Sequence, residues 1–145
     1  MHRIAIFGLA ALIAASPAQS KAMKWMDSLS VGLPAGAKLA VAKGDPSKAG
    51  EFTVLVKMPA NYAVPPHHHP TDEVVRVMGA GSLSYGMGDK LDRDHAGSLT
   101  KGYHVTMGAN MNHWVFNTDP VEIQVSGTGP FAIVYVDPKD DPRNK

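Results

Sequence analysis

The sequence predicts an all-β domain, a sandwich or a barrel. Short segments rich in β-branched and aromatic residues recur at regular intervals, each bounded by Gly, Pro, Asn or Asp. No stretch sustains the period of a helix with one buried face. One segment, "EFTVLVKM", alternates well enough to define an inner face by itself.

In chain order, the first segment stands apart. "MHRIAIFGLAALIAASPAQS" carries Arg3, an apolar run from Ile4 to Ala15, then small residues at Ser16, Ala18 and Ser20. This is the layout of a secretory signal peptide, and the run is shorter than a membrane span requires. Cleavage is expected after Ala18, with Ala22 as the second choice and an uncleaved anchor as the competing reading. Residues 19–50 read as an N-terminal segment with a short helix in "KAMKWMDSLS" and a strand. Residues 51–137 read as the main domain. Its first strand places Phe52, Val54, Val56 and Met58 on one face, and Glu51, Thr53 and Lys57 on the other. "EVVRVM", "SLSYGM", "HVTM", "NHWVF", "VEIQV" and "FAIVYV" follow as further strands. The polar, Gly-rich stretch from Gly86 to Lys101 reads as a long loop with one turn of helix. Residues 138–145 form a terminal tail, frayed or strapped down.

Composition removes several function classes. The chain has 145 residues, enough for one domain, with 14 Lys and Arg against 13 Asp and Glu. The expected cleavage removes Arg3 and no acid, leaving a formal charge near zero. Nothing in that balance suggests nucleic acid or an anionic membrane surface. The absence of cysteine excludes disulfides, thiolate metal sites, Fe–S clusters and cysteine nucleophiles.

Chemistry concentrates in "PPHHHPTDE", residues 65–73. On an extended chain, residues two apart share a face, so His67 and His69 point one way and His68 the other. The same parity carries Thr71 and Glu73 to the side of the pair, followed by the apolar Val75 and Val77. That side is therefore interior, where two imidazoles and a carboxylate need a partner. A divalent cation would satisfy all three; a Pro-bounded surface turn is the competing reading. In "NMNHWVFN", His113 shares a face with Met111, Val115 and Asn117, placed either as a fourth ligand or as a satisfied core histidine. Trp114 and Phe116 fall on the opposite face. A closed barrel would expose them unless the segment around Trp25 or a second subunit covered them.

"HHHPTDEVVRVM" and "GYHVTMGANMNHWVFN" together resemble the two motifs of the cupin superfamily. The first, G(X)5HXH(X)3,4E(X)6G, is met by His67, His69 and Glu73. The second, G(X)5PXG(X)2H(X)3N, is met by Gly102, His113 and Asn117. The resemblance covers roughly residues 52–136. It departs where Asn61 and Asn110 replace motif glycines, where Gly108 replaces proline, and where Ala80 lies between Gly79 and Gly81. "MGAGS" there reads as a bulge or widened turn. Asn tolerates a left-handed backbone better than most residues, so the Asn110 turn can survive.

The resemblance implies a jelly-roll barrel with a metal in its mouth, held by His67, His69, Glu73 and His113. Three imidazoles and a carboxylate suit Zn, Cu, Fe, Mn, Ni or Co as divalent ions. In an octahedral ion two positions remain open, an arrangement for chemistry. The function that follows is an exported, periplasmic or secreted, metal-dependent enzyme on a small molecule. Dioxygenase-type oxidoreduction ranks first, with isomerase or lyase chemistry beside it; the alternative is a non-catalytic small-ligand or metal-binding module. A homodimer is expected, since cupins commonly dimerise. His68 is expected at the rim, Asp72 at a turn, His95 and His104 on the surface, and Asn117 as a brace for the next strand.

Overall fold

The computed structural model describes residues 22–145; the expected signal peptide lies outside the described residues. Eleven strands form among the described residues: β1 (Trp25–Asp27), β2 (Lys38–Lys43), β3 (Gly50–Met58), β4 (Ala63–His68), β5 (Glu73–Val77) and β6 (Ser82–Met87), then β7 (Gly97–Thr100), β8 (His104–Met107), β9 (His113–Phe116), β10 (Val121–Gly129) and β11 (Val134–Tyr135). They pair antiparallel in two sheets, a six-stranded one ordered β1-β2-β3-β10-β5-β8 and a five-stranded one ordered β11-β4-β9-β6-β7. This is a jelly-roll barrel. No helix among the described residues is long and apolar enough to cross a membrane.

The alternation in β3 does what its sequence dictates. Phe52, Val54, Val56 and Met58 are buried, and meet Val121, Ile123 and Val125 of β10 and Val75 and Val77 of β5. Each such side chain stabilises the fold by about 1.5–3 kcal/mol relative to exposure. The outer face is polar except for Leu55, with the hydroxyls of Thr53 and Ser126 3.2 Å apart.

Three local differences from the sequence reading have physical causes. The short helix in "KAMKWMDSLS" is instead strand β1 followed by a single 3-10 turn, Ser28–Val31, ended by Gly32 in the left-handed region at φ 81°. The 86–101 stretch contains the expected helical turn, Arg93–His95, but ends in β7, which pairs with β6. With Leu99 its one buried residue, "GSLT" offers little pattern to read. "FAIVYV" pairs over only Val134 and Tyr135, at a sheet edge.

The outer face of β9 is the main correction. Trp114 and Phe116 are covered within the chain, at 2% and 8% exposure. Trp114 lies across Gly86, where a Cβ would sit 2.1 Å from the indole ring. The Arg93 guanidinium stacks over Phe116 at 4.4 Å. Trp25 is on the other sheet, under the Lys57 ammonium at 4.0 Å. The polar loop, rather than the Trp25 segment or a second subunit, therefore contributes the cover, and these aromatics give no reason for a dimer.

The turns that depart from the cupin motifs keep its backbone shape. Asn61 and Asn110, both standing where the motifs have glycine, adopt φ 57° and φ 58°. That is the left-handed region in which Asn is the best tolerated residue after glycine.

Candidate metal centre

The site begins with a fault in a strand. In β4, Val64 pairs with Val115 and His67 pairs with His113, so Pro65 and Pro66 together oppose Trp114. An unbroken strand would put Pro66 and His68 on the face of Val64. The extra residue of the bulge turns His67 and His69 inward instead. Proline suits this place because a bulge leaves a residue out of the hydrogen-bonded ladder.

His67, His69 and His113 are buried, at 4%, 4% and 1% exposure. Their ring centroids stand 5.0, 4.3 and 5.2 Å apart. One nitrogen from each lies within 4.8 Å of the others. Glu73 enters from β5, across the barrel on the other sheet. Its carboxylate reaches His69 Nε2 at 3.3 Å and His113 Nε2 at 3.1 Å. The latter contact lacks hydrogen-bond alignment, and His113 Nε2 is left without a partner. The parity that carried His67 through to Glu73 thus reached the right side by a different route. The chain turns at Pro70–Asp72 and changes sheet, so the carboxylate faces the histidines rather than following them along one strand.

Each imidazole turns its other nitrogen to a backbone carbonyl. His67 Nδ1 lies 2.6 Å from Pro65 O, His69 Nδ1 2.7 Å from Ala132 O, and His113 Nδ1 3.0 Å from Met111 O. A carbonyl only accepts, so Nδ1 carries the proton and the Nε2 lone pair is free. Three clustered imidazole nitrogens, those of His69 and His113 against a carboxylate, are a donor set for a divalent transition metal, and carbonyl support of the far nitrogen is how metal-binding histidines are oriented. The residues present fit such an ion.

Electrostatics differ from ring to ring. Burial, then the neighbouring His113 and His69, push His67 down to about 3, so it needs no deprotonation to bind metal at neutral pH. His69 differs: burial opposes its charge, but the Glu73 carboxylate 3.3 Å away and the Ala132 carbonyl outweigh this and raise it, so an ion would displace a proton from its Nε2. Burial likewise opposes the Glu73 carboxylate; the close polar contacts and charge interactions with His113 and His69 overcome it and hold Glu73 well below the usual range.

A cavity of about 220 Å³ adjoins the cluster. Its walls include the inner faces of β3, β5 and β10, with Phe131 packed on His69 at a centroid distance of 4.7 Å. Val31 and Leu33 of the N-terminal segment complete the lining. That segment is tied to the barrel by Tyr62, whose hydroxyl donates to Pro34 O, and by Tyr135, whose hydroxyl donates to Gly32 O at 2.7 Å. Burial raises both phenols, Tyr62 to about 12.

The remaining sequence-nominated residues stand apart. His68 points away and contacts Asn112 Oδ1 at 2.9 Å, while Asn112 donates to Asp89. Asp72 accepts from the Ala109 amide at a turn. His95 and His104 are exposed, as is Tyr103. Asn117 braces a turn, donating to Pro59 O and Asp119 O at 2.7 and 2.8 Å. Sequence reasoning missed Phe131 and the anchoring roles of Tyr62 and Tyr135; the "GPF" turn marks Phe131, but its contact with His69 needs the closed barrel.

No family model matches the sequence, and no curated protein is significantly similar to it. Solved structures do match. A DMSP lyase, DddQ from Ruegeria pomeroyi DSS-3, superposes with a TM-score of 0.64 at 20% identity, over 81% of this chain and 62% of that one. The polyketide cyclase RemF from Streptomyces resistomycificus gives 0.60 at 14% identity, over 73% and 75% of the two chains. An oxalate oxidase gives 0.50 at 26% identity, over 60% and 46%. These are cupin-fold proteins. This chain has the cupin fold. It spans less than two thirds of the length of the lyase and about half that of the oxidase. Cupin scaffolds host many activities, so the likeness carries the fold and the site carries the chemistry.

Proposed function

We propose that this cupin is an exported, metal-dependent enzyme acting on a small molecule, its ion held by His67, His69, His113 and Glu73. The observation that carries the reading is the cluster of three carbonyl-oriented imidazoles at the wall of a cavity, two of them touching the buried Glu73 carboxylate. The ion supplies Lewis acidity or, if redox-active, an oxygen-binding centre. The chain supplies the rest. The three Nδ1–carbonyl contacts fix the rings, Glu73 lowers the charge of the site, and the apolar walls exclude water. Zinc and copper rank slightly above iron, manganese and nickel for a protein that collects its ion outside the cytoplasm.

Among the described residues lining the cavity, no base stands free of the ligand set. Tyr62 is engaged with a carbonyl and held protonated. That favours dioxygenase-type chemistry over proton-abstracting isomerase or lyase chemistry, even though the matched structures include a lyase, a cyclase and an oxidase. The same feature suits a second reading, a module that binds a small ligand without changing it. Loss of oxygen or substrate by the metal-loaded protein, abolished in His113→Ala, is the expected result. Saturable binding with no turnover under any of the candidate ions would replace the enzyme by the binding module. Homodimerisation also stays a proposal. With Trp114 and Phe116 covered, its support is the exposed Val134 of edge strand β11 and the exposed Val136 just beyond it. A monomeric mass by light scattering would remove it.

A further inference from the structure

The walls of the cavity differ sharply in chemistry from its metal-binding end. Among the described residues, the lining contains no Lys, Arg, Asp, Asn, Gln or Thr. Its polar members are the three histidines, Glu73, Tyr62 and Ser47. Each of the last two is already engaged, the Tyr62 hydroxyl with Pro34 O and the Ser47 hydroxyl with Asp45 at 2.6 Å on the exposed rim. The histidine Nδ1 atoms face their carbonyls. The polar atoms left for a ligand are therefore the Nε2 groups and the Glu73 carboxylate, all at one end. Everything beyond them is aliphatic or aromatic, including Val54, Val56, Val125, Ile123 and Phe131.

A second charge or a row of hydroxyls on the ligand would be buried there without a partner, which is strongly unfavourable. An apolar body would gain from the same walls. Size is bounded as well. An apolar cavity of about 150 Å³ in another protein admits benzene, so about 220 Å³ admits one ring with a substituent or two.

We propose that the ligand of this site is a compact, mainly apolar molecule, about the bulk of one substituted ring, carrying a single metal-binding head and no second charge. The metal-binding head rests on the reading given under Proposed function; the apolar body rests on the walls alone. The test separates the two.

Metal content is measured first, and Zn²⁺-loaded protein is titrated calorimetrically with three hydroxamates that share one head. Benzohydroxamate is expected to bind at least about tenfold tighter than acetohydroxamate, a modest return on roughly 100 Å² of buried apolar surface. 4-Carboxybenzohydroxamate is expected to lose that gain. Equal affinity of the first two, or tightest binding of the carboxylate, overturns the proposal. Metal-free protein is tested in parallel by thermal melting. Toluene is expected to raise the melting temperature saturably and benzenesulfonate to leave it unchanged; no response to toluene overturns the apolar-body proposal whether or not metal binds. A protein that responds to toluene but takes up no Zn²⁺ keeps the apolar body and loses the metal reading. Val125→Leu, or Val54→Leu if the first is unstable, narrows the cavity. It is expected to cut the benzohydroxamate and toluene effects at least fivefold with metal content unchanged. Retention of both effects would place the ring elsewhere and overturn the assignment.

Discussion

The two sheets hold their shares of the metal centre differently. The five-stranded sheet brings His67 on β4 opposite His113 on β9, His69 follows just beyond β4, and each ring leans on a backbone carbonyl. The six-stranded sheet contributes Glu73, whose carboxylate contacts are His69 and His113. One half of the site is therefore oriented by the backbone, and the other half by the first. The histidine half should outlast the loss of the carboxylate, while the carboxylate should not hold a metal without the histidines.

The strongest way to break this comparison is to remove a ring. His113→Ala or His67→Ala should lower Zn²⁺ affinity by more than about 100-fold, exceeding the ~10–100-fold typical of residues that only support a ligand. His68→Ala should change it by less than about twofold, because His68 faces Asn112. Equal losses at His67 and His68 in calorimetric titrations would mean loose capture by a His-rich turn.

Next in size is the support behind β9. Gly86→Ala would drive a Cβ into the Trp114 indole and should destabilise the fold by about 1–3 kcal/mol in urea melts. Metal-bound protein should recover part of this loss through binding to the native state alone. A neutral Gly86→Ala would show that the outer face of β9 is not held by that contact.

Glu73→Gln then sharpens the comparison. Three Nε2 donors remain, so affinity for Zn²⁺ should fall by about tenfold, within the range for supporting groups, and less than for His113→Ala. A loss as large as that of His113→Ala would mean the carboxylate organises the histidines. The smallest effect belongs to the turn before β9. Asn110→Ala forces alanine into φ near 58° and should cost about 1 kcal/mol by thermal melting, while Asn110→Gly should cost less.

Much of this site was readable before the fold was known, for definite reasons. Residues two apart on a strand share a face, so His67 and His69 could be paired and His68 set aside. Asn110 could be read as left-handed because few other residues go there. What could not be read depends on distant chain. The bulge at Pro65–Pro66 shows only against its partner strand. The acceptor for His69 is the carbonyl of Ala132, 63 residues away. Arg93 covers Phe116 from a loop whose sequence looks merely polar, which is why those aromatics suggested a second subunit. The signal peptide, and with it the exported location, rests on sequence alone.

The central claim is a single metal held by four side chains from both sheets. Its most direct test is metal content by mass spectrometry on untagged protein purified from its exported location, beside His113→Ala. The account predicts close to one equivalent of a transition metal in the native chain and its loss in the variant. A native chain that is folded yet metal-free, and fails to take up any of the candidate ions, would contradict it.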